Sequence, residues 1–196
     1  MIQLLDIADV RAGQTFRGKV LPMVDGDVSV VQMRDLEGAG VNWSSVVVTA
    51  LKSRKDPDWI RPSDILVPSV GARLRAVVAA SAPSRAICTN HLFLIRPDAS
   101  RVEPGFLAWL INQPVTQRQL ATEATGGTVK LLRRAALQAI QLELPPLPVQ
   151  QLIAELVEAQ QQERRVLEQL IENREKQISA LAQNLAAPEP RKGGWI

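Results

Sequence analysis

The stretch "ELPPLPVQQLIAEL" (143–156) sets three prolines against the start of a glutamine-rich helix, and its reading decides the fold. Pro145, Pro146 and Pro148 restrict their neighbours to extended or polyproline geometry, so the connector is stiff and fixes an angle far better than a Gly/Ser linker. From Val149 to about Ala187 there is no Gly or Pro, and Gln, Glu, Leu, Ala and Arg dominate, all good helix formers. Its apolar positions include Leu152, Leu156, Leu167, Leu170, Ile178 and Leu181. Leu156, Leu167 and Ile178 lie eleven apart, as do Leu170 and Leu181, giving about 3.67 residues per turn and one continuous stripe. At about 1.5 Å per residue the helix runs about 58 Å. No small domain buries that length along its own side, so the stripe calls for a partner helix. Residues 147–187 are therefore read as a spacer and dimerisation helix, and "PEPRKGGWI" (188–196) as a mobile tail.

Upstream, residues 1–146 read as a mixed domain. The β-rich runs "VSVVQMRDL", "VNWSSVVVTAL", "DILVPSV", "LRAVVAA" and "HLFLIRP" are separated by Gly, Pro, Asp and Ser. "EPGFLAWLINQPVTQRQLATEA" is helical in spacing, with Pro104 placed to start the helix and Pro114 to limit it. After the "TGG" break, the first part of "TVKLLRRAALQAIQLELPPLP" suits a short helix and "IQLEL" a terminal strand. The expected class is α/β, strand-rich in its first two-thirds, followed by one long helix.

Charge is uneven. Residues 1–49 carry four basic and six acidic side chains, residues 50–146 thirteen and seven, and residues 147–196 six and seven. The positive excess in residues 50–146 fits either a polyanion-binding face or an ordinary solvated surface. No apolar run approaches the roughly 18 residues of a membrane span, and the N-terminus carries acids where a signal peptide carries bases, so a cytoplasmic location is expected. The single cysteine, Cys88, excludes an intrachain disulfide.

The order of several stretches resembles the DNA specificity subunit of type I restriction–modification systems, in a half-size form. "LLDIADVRAGQTFRGK" (4–19) resembles that family's opening segment and "VQMRDL" (31–36) its following strand. "IRPSDILVPSVGARLRAVVA" (60–79), "TNHLFLIRPDASRVEPGFLAWLINQP" (89–114) and "ATGGTVKLLRRAALQAIQLELPPLPVQQLIAEL" (124–156) continue the match. Family members usually carry two such domains and two such helices, whereas each pattern occurs once here. The resemblance implies a homodimer whose helices pair as an antiparallel coiled coil and which reads a bipartite, palindromic site on double-stranded DNA. It also implies a chain that is not itself catalytic. The methyltransferase subunit, which binds S-adenosylmethionine, and a restriction subunit are the implied partners. A truncated half of a two-domain subunit is the bland alternative.

The residues agree with a non-catalytic reading. There is no Asn-Pro-Pro-aromatic tetrapeptide of an adenine methyltransferase, no G-x-G-x-x-G and no P-loop. One Cys and one His fall short of the four ligands of a structural zinc, so "CTNH" (88–91) reads as packing or groove residues.

DNA recognition needs bases for phosphates and forked side chains for base edges. Three clusters qualify: Lys52, Arg54 and Lys55; Arg73 and Arg75 after Gly71; and Thr128, Lys130 and Arg133 after "GG". Asn42, Asn90 and His91 are weaker candidates for base readout, and each of these positions reads equally well as solvated surface. Trp43 and Trp59 are expected in the core, and the absence of tyrosine argues against a single-strand platform. The polar gap "EAQQQERR" (158–165) reads as a solvated flank or as a docking patch for the methyltransferase. A stand-alone dimeric regulator and a protein–protein assembly module remain open as other functions.

Overall fold

The computed structural model describes all residues except 39, 52–55, 72–73, 128 and 187–196. Lys52, Arg54, Lys55, Arg73, Thr128 and the tail 188–196 thus lie outside the described residues. In chain order the strands are β1 (Ile2–Gln3), β2 (Ala8–Ala12), β3 (Val28–Val31), β4 (Leu36–Glu37), β5 (Gly40–Val41) and β6 (Val47–Thr49), then β7 (Ile65–Pro68), β8 (Val70–Gly71), β9 (Val77–Val78), β10 (Ala86–Cys88) and β11 (Leu92–Pro97). The helices α1 (Pro104–Ile111) and α2 (Pro114–Glu123) follow. Next come β12 (Lys130–Leu131), α3 (Arg134–Gln138), β13 (Gln141–Leu142) and α4 (Leu147–Ala186).

The centre is a four-stranded antiparallel sheet in the order β2-β11-β7-β9. "LFLI" in β11 is apolar at every position because both faces of this sheet are covered. Phe93 and Ile95, with Ile65 and Val67 of β7, pack on one face with Phe106, Leu107 and Ile111 of α1, Leu120 of α2 and Leu137 of α3. Leu92, Leu94 and Leu66 pack on the other with Val31, Ala86 and Cys88. The second layer is the sheet β10-β3-β6, in which β10 and β3 run parallel and β3 and β6 antiparallel.

Two local expectations change. "VQMRDL" is not one strand: Met33–Asp35 form a 3-10 turn, because the Asp35 carboxylate accepts the Gln32 N–H at 2.8 Å and closes the chain on itself. Pro114 does not only end α1. It starts a second helix at its first position, where the missing N–H costs nothing. Trp43 is half-buried at the rim of the cluster that holds Val31, Ala86 and Cys88, and Trp59 at the rim of a smaller one of Val20, Val28, Val30 and Ile87, with indole N–H groups on Ala80 O (2.7 Å) and Asp56 Oδ1 (3.1 Å).

Pro148 sits inside the first turn of α4, and Pro146 O accepts the Val149 and Gln150 N–H groups. The prolines are not the whole joint, because Gln150 is buried to 1% exposure. Its Oε1 accepts the Glu103 N–H at 3.0 Å and its Nε2 donates to Pro145 O at 2.8 Å. Ile153 and Ala154 pack on the main core, and a Cβ at Gly105 would stand 3.4 Å from the Ala154 methyl. The first turns of α4 are thereby bolted to the N-terminus of α1. By contacts the chain divides into Met1–Val157 and Glu158–Ile196. No described helix is long and apolar enough to cross a membrane.

Candidate nucleic-acid interface

The β7 strand is interrupted at Ser69, and its continuation β8 changes partner, from β11 to β12. The new ladder sets Lys130 opposite Gly71 and Leu131 opposite Val70. Two segments almost sixty residues apart in sequence thus share one ribbon. Leu132 N donates to Ser69 O at 2.8 Å, and Thr125 and Leu131 exchange both backbone hydrogen bonds at 3.0 and 2.7 Å. Lys130 is half-buried, with its ammonium 2.8 Å from Ala121 O in the last turn of α2, where the helix dipole favours a cation. This places Lys130 as the pin of the ribbon, whereas Arg133 and Arg134 are exposed at the start of α3.

Ser69 also ties in the turn between β10 and β11. Its N–H donates to His91 O at 2.8 Å and its hydroxyl to Asn90 O at 3.3 Å, leaving both the Asn90 and His91 side chains exposed. Asn90 N in turn donates to Gln14 O at 2.9 Å. Gln14 opens the loop carrying exposed Arg17 and Lys19 on either side of Gly18, whose φ of 84° suits glycine. Sequence reasoning misses Arg17 and Lys19, because they stand in the net-acidic first quarter of the chain. Asn42 belongs to a different place: its Oδ1 accepts the Ser44 N–H (3.2 Å) and hydroxyl (2.6 Å), and its Nδ2 donates to Glu37 at 3.2 Å. Those bonds give it the role of a turn former.

Arg75 is exposed between buried Leu74 and Ala76, and helix side chains hold that segment in place. Asn112, at the end of α1, clamps Ala76 from both sides: Oδ1 accepts its N–H and Nδ2 donates to its C=O, each at 2.8 Å. Gln117 Nε2 adds a bond to Leu74 O at 3.2 Å. The signal in sequence is the amide-rich "INQP" (111–114), which reads only as a helix end. Replacing Asn112 with Leu leaves two backbone groups unpaired, and we expect a loss of about 1–3 kcal/mol. The check is a urea titration; an unchanged midpoint would show that the clamp contributes nothing.

A concavity of about 490 Å³ lies between the segments around Trp59 and Pro83 and is lined by Arg11, Arg61 and Arg96. Its charges are largely paired internally: Arg11 with Asp9 and Asp58, and Arg96 with Asp64. "CTNH" does not assemble into a centre, for His91 is exposed while Cys88 is buried, with burial pushing its thiol up to about 12. Among the described residues no three His, Cys, Asp or Glu side chains gather as metal ligands.

On α4 the stripe residues Leu156, Leu167, Leu170, Ile178 and Leu181 are each between 51% and 67% exposed, far more than is usual for leucine and isoleucine. The segment 158–165 is exposed apart from a half-buried Gln161.

The family described as "Type I restriction modification DNA specificity domain" matches residues 1–180. Several solved structures share the fold. The S subunit of a type I restriction–modification system from M. genitalium gives a TM-score of 0.60 at 15% identity, covering 89% of this chain and 42% of that one. A chain from work on complex assembly and conformational transition of the type I system gives 0.66 at 21%, covering 93% and 43%. The HsdS subunit from Thermoanaerobacter tengcongensis gives 0.53 at 18%, covering 86% and 38%. The chain therefore spans less than half the length of these structures. No curated protein matches it.

Proposed function

The chain belongs to the type I restriction–modification DNA specificity family, and from that premise we propose that it binds double-stranded DNA as the specificity subunit of such a system. It directs a methyltransferase subunit to a chosen site and, where a restriction subunit is present, licenses cleavage. Chemistry and S-adenosylmethionine belong to the partner. Two copies, paired through α4, supply the two domains and two helices of a full-length subunit. A two-fold dimer reads a bipartite palindrome, because the protein's symmetry is imposed on the DNA.

The observation that carries this reading is the ribbon β8–β12. It joins Val70–Gly71 to the segment that leads to exposed Arg133, Ser69 beside it holds the turn bearing Asn90 and His91, and Asn90 bonds to Gln14, which opens the loop of Arg17 and Lys19. Exposed cations suit phosphates, and the turn amide and imidazole suit base edges. Changing Arg75 and Arg133 together to Ala lowers affinity across all DNA sequences. It also reduces the slope of log K against log salt by about 0.9 for each phosphate that is no longer neutralised. A fluorescence-anisotropy titration from 50 to 200 mM salt, a range in which about 6–10 phosphate contacts cost 10³–10⁵ in affinity, reads both quantities. An unchanged slope removes both residues from the interface. A tagged pull-down from the native host tests partnership: a stoichiometric methyltransferase supports the subunit, and the chain alone with DNA affinity points to a stand-alone regulator.

A further inference from the structure

The stripe on α4 is interrupted by two charges that fall on the seam itself. Starting from Leu156, steps of three, four and four residues lead through Ala159 to Glu163 and Leu167, then through Leu170 to Arg174 and Ile178, and so to Leu181. This is the eleven-residue repeat of a nearly straight helix, with Glu163 and Arg174 at equivalent positions eleven apart. Off the seam, Arg164 and Lys176 are engaged along their own helix, by Glu168 at 2.8 Å and Glu172 at 2.7 Å. Glu163 and Arg174 are both exposed, and neither joins an ion pair among the described residues.

Turned end for end about a point between Glu168 and Gln169, the seam maps onto itself. Leu156 meets Leu181 of a second copy, Ala159 meets Ile178, Leu167 meets Leu170, and Glu163 meets Arg174. Each contact occurs twice by symmetry. Other arrangements are penalised by the same two charges. A parallel pair in register sets Glu163 on Glu163 and Arg174 on Arg174. An antiparallel slip of eleven residues, the natural error of this repeat, brings either the two Glu163 or the two Arg174 side chains together. A slip of three seats Glu163 against Ile171 and buries a carboxylate on an apolar side chain. Like charges and unpaired ions at a seam are how coiled coils reject wrong partners and registers.

We propose that α4 binds a second copy of this chain in one antiparallel register, keyed by two symmetric Glu163–Arg174 ion pairs. This rests on the dimer reading above and adds what fixes the separation of the two DNA-reading domains: a register error of eleven residues displaces one domain by about 16 Å at 1.5 Å per residue.

The test is charge reversal in the full chain, with circular dichroism to confirm that these exposed substitutions leave helix content intact. Sedimentation equilibrium reads the dimer Kd for wild type, Glu163→Arg, Arg174→Glu, the double variant, and an equimolar mixture of the two single variants. Each single reversal turns two attractions into two repulsions, and we expect at least about tenfold weaker self-association. The double variant and the mixture restore near wild-type affinity, because each regains opposite charges at both contacts. Single variants that dimerise like wild type, or a mixture that fails to recover, overturn the register while leaving the dimer standing. A wild-type chain that stays monomeric at tens of micromolar removes the dimer, and the register with it.

Discussion

Replacing Leu167 and Leu170 together with glutamate yields a chain that is monomeric at micromolar concentration and binds only one half of a two-part DNA site. Both leucines are about half-exposed on α4 and sit beside the midpoint of the stripe. Each copy contributes two, so a dimer buries four. Burial of a fully exposed leucine side chain is worth about 1.5–3 kcal/mol, so completing the burial of four half-exposed ones contributes about 3–6 kcal/mol. A dimer with a micromolar Kd has only about 8 kcal/mol to lose, and the substitution also crowds four carboxylates around the symmetry axis. The domain is untouched by this change, since its apolar core is drawn from residues upstream of Val157. Its thermal transition should stay where it is while sedimentation velocity shows one copy. Persisting dimers would defeat helix pairing through this stripe.

Changing Arg96 to Ala should strongly destabilise the domain. Asp64 is 1% exposed, and Arg96 grips both its carboxylate oxygens at 2.9 and 2.8 Å while also donating to Trp59 O at 2.8 Å. Asp64 further accepts the Arg61 N–H at 2.8 Å, which ties the start of β7 to the segment before it. Removing the guanidinium strands a buried carboxylate, at a cost of about 3–5 kcal/mol. For a domain of this size that is roughly 10 °C in Tm. Arg96→Lys keeps the charge but loses the two-pronged grip, so it should fall between wild type and Ala. Calorimetry decides, and a Tm within about 2 °C of wild type for the alanine variant would show that the pair is not a keystone.

Much of the architecture is legible in the chain because its signals are local. The stripe and the absence of Gly and Pro predict the long helix α4, and the apolar runs that begin at Ile65 and Leu92 become the two innermost strands of the central sheet. Pairings between distant segments are less legible. Nothing in "VSVV" or "AIC" announces that β3 and β10 run parallel, and nothing in "VG" or "KL" announces their ladder. Two-residue strands carry too little pattern to specify a register.

For the candidate site the difference is one of side-chain bonding. Residue type identifies the basic and amide side chains worth testing, and Arg75, Arg133, Asn90 and His91 are exposed. Residue type does not say which polar groups are already occupied. Lys130 is taken by Ala121 O and Asn42 by its own turn, while Asn112 and Gln150 are structural bolts. Period and composition act within a few turns of chain, so the sequence by itself determined the long helix, its stripe and the β-rich runs that become the inner strands. Only the tertiary structure decided where the amides, the pinned lysine and the shared ribbon went. A hydrogen-bond partner is chosen by proximity in space, and proximity exists only once distant segments have packed.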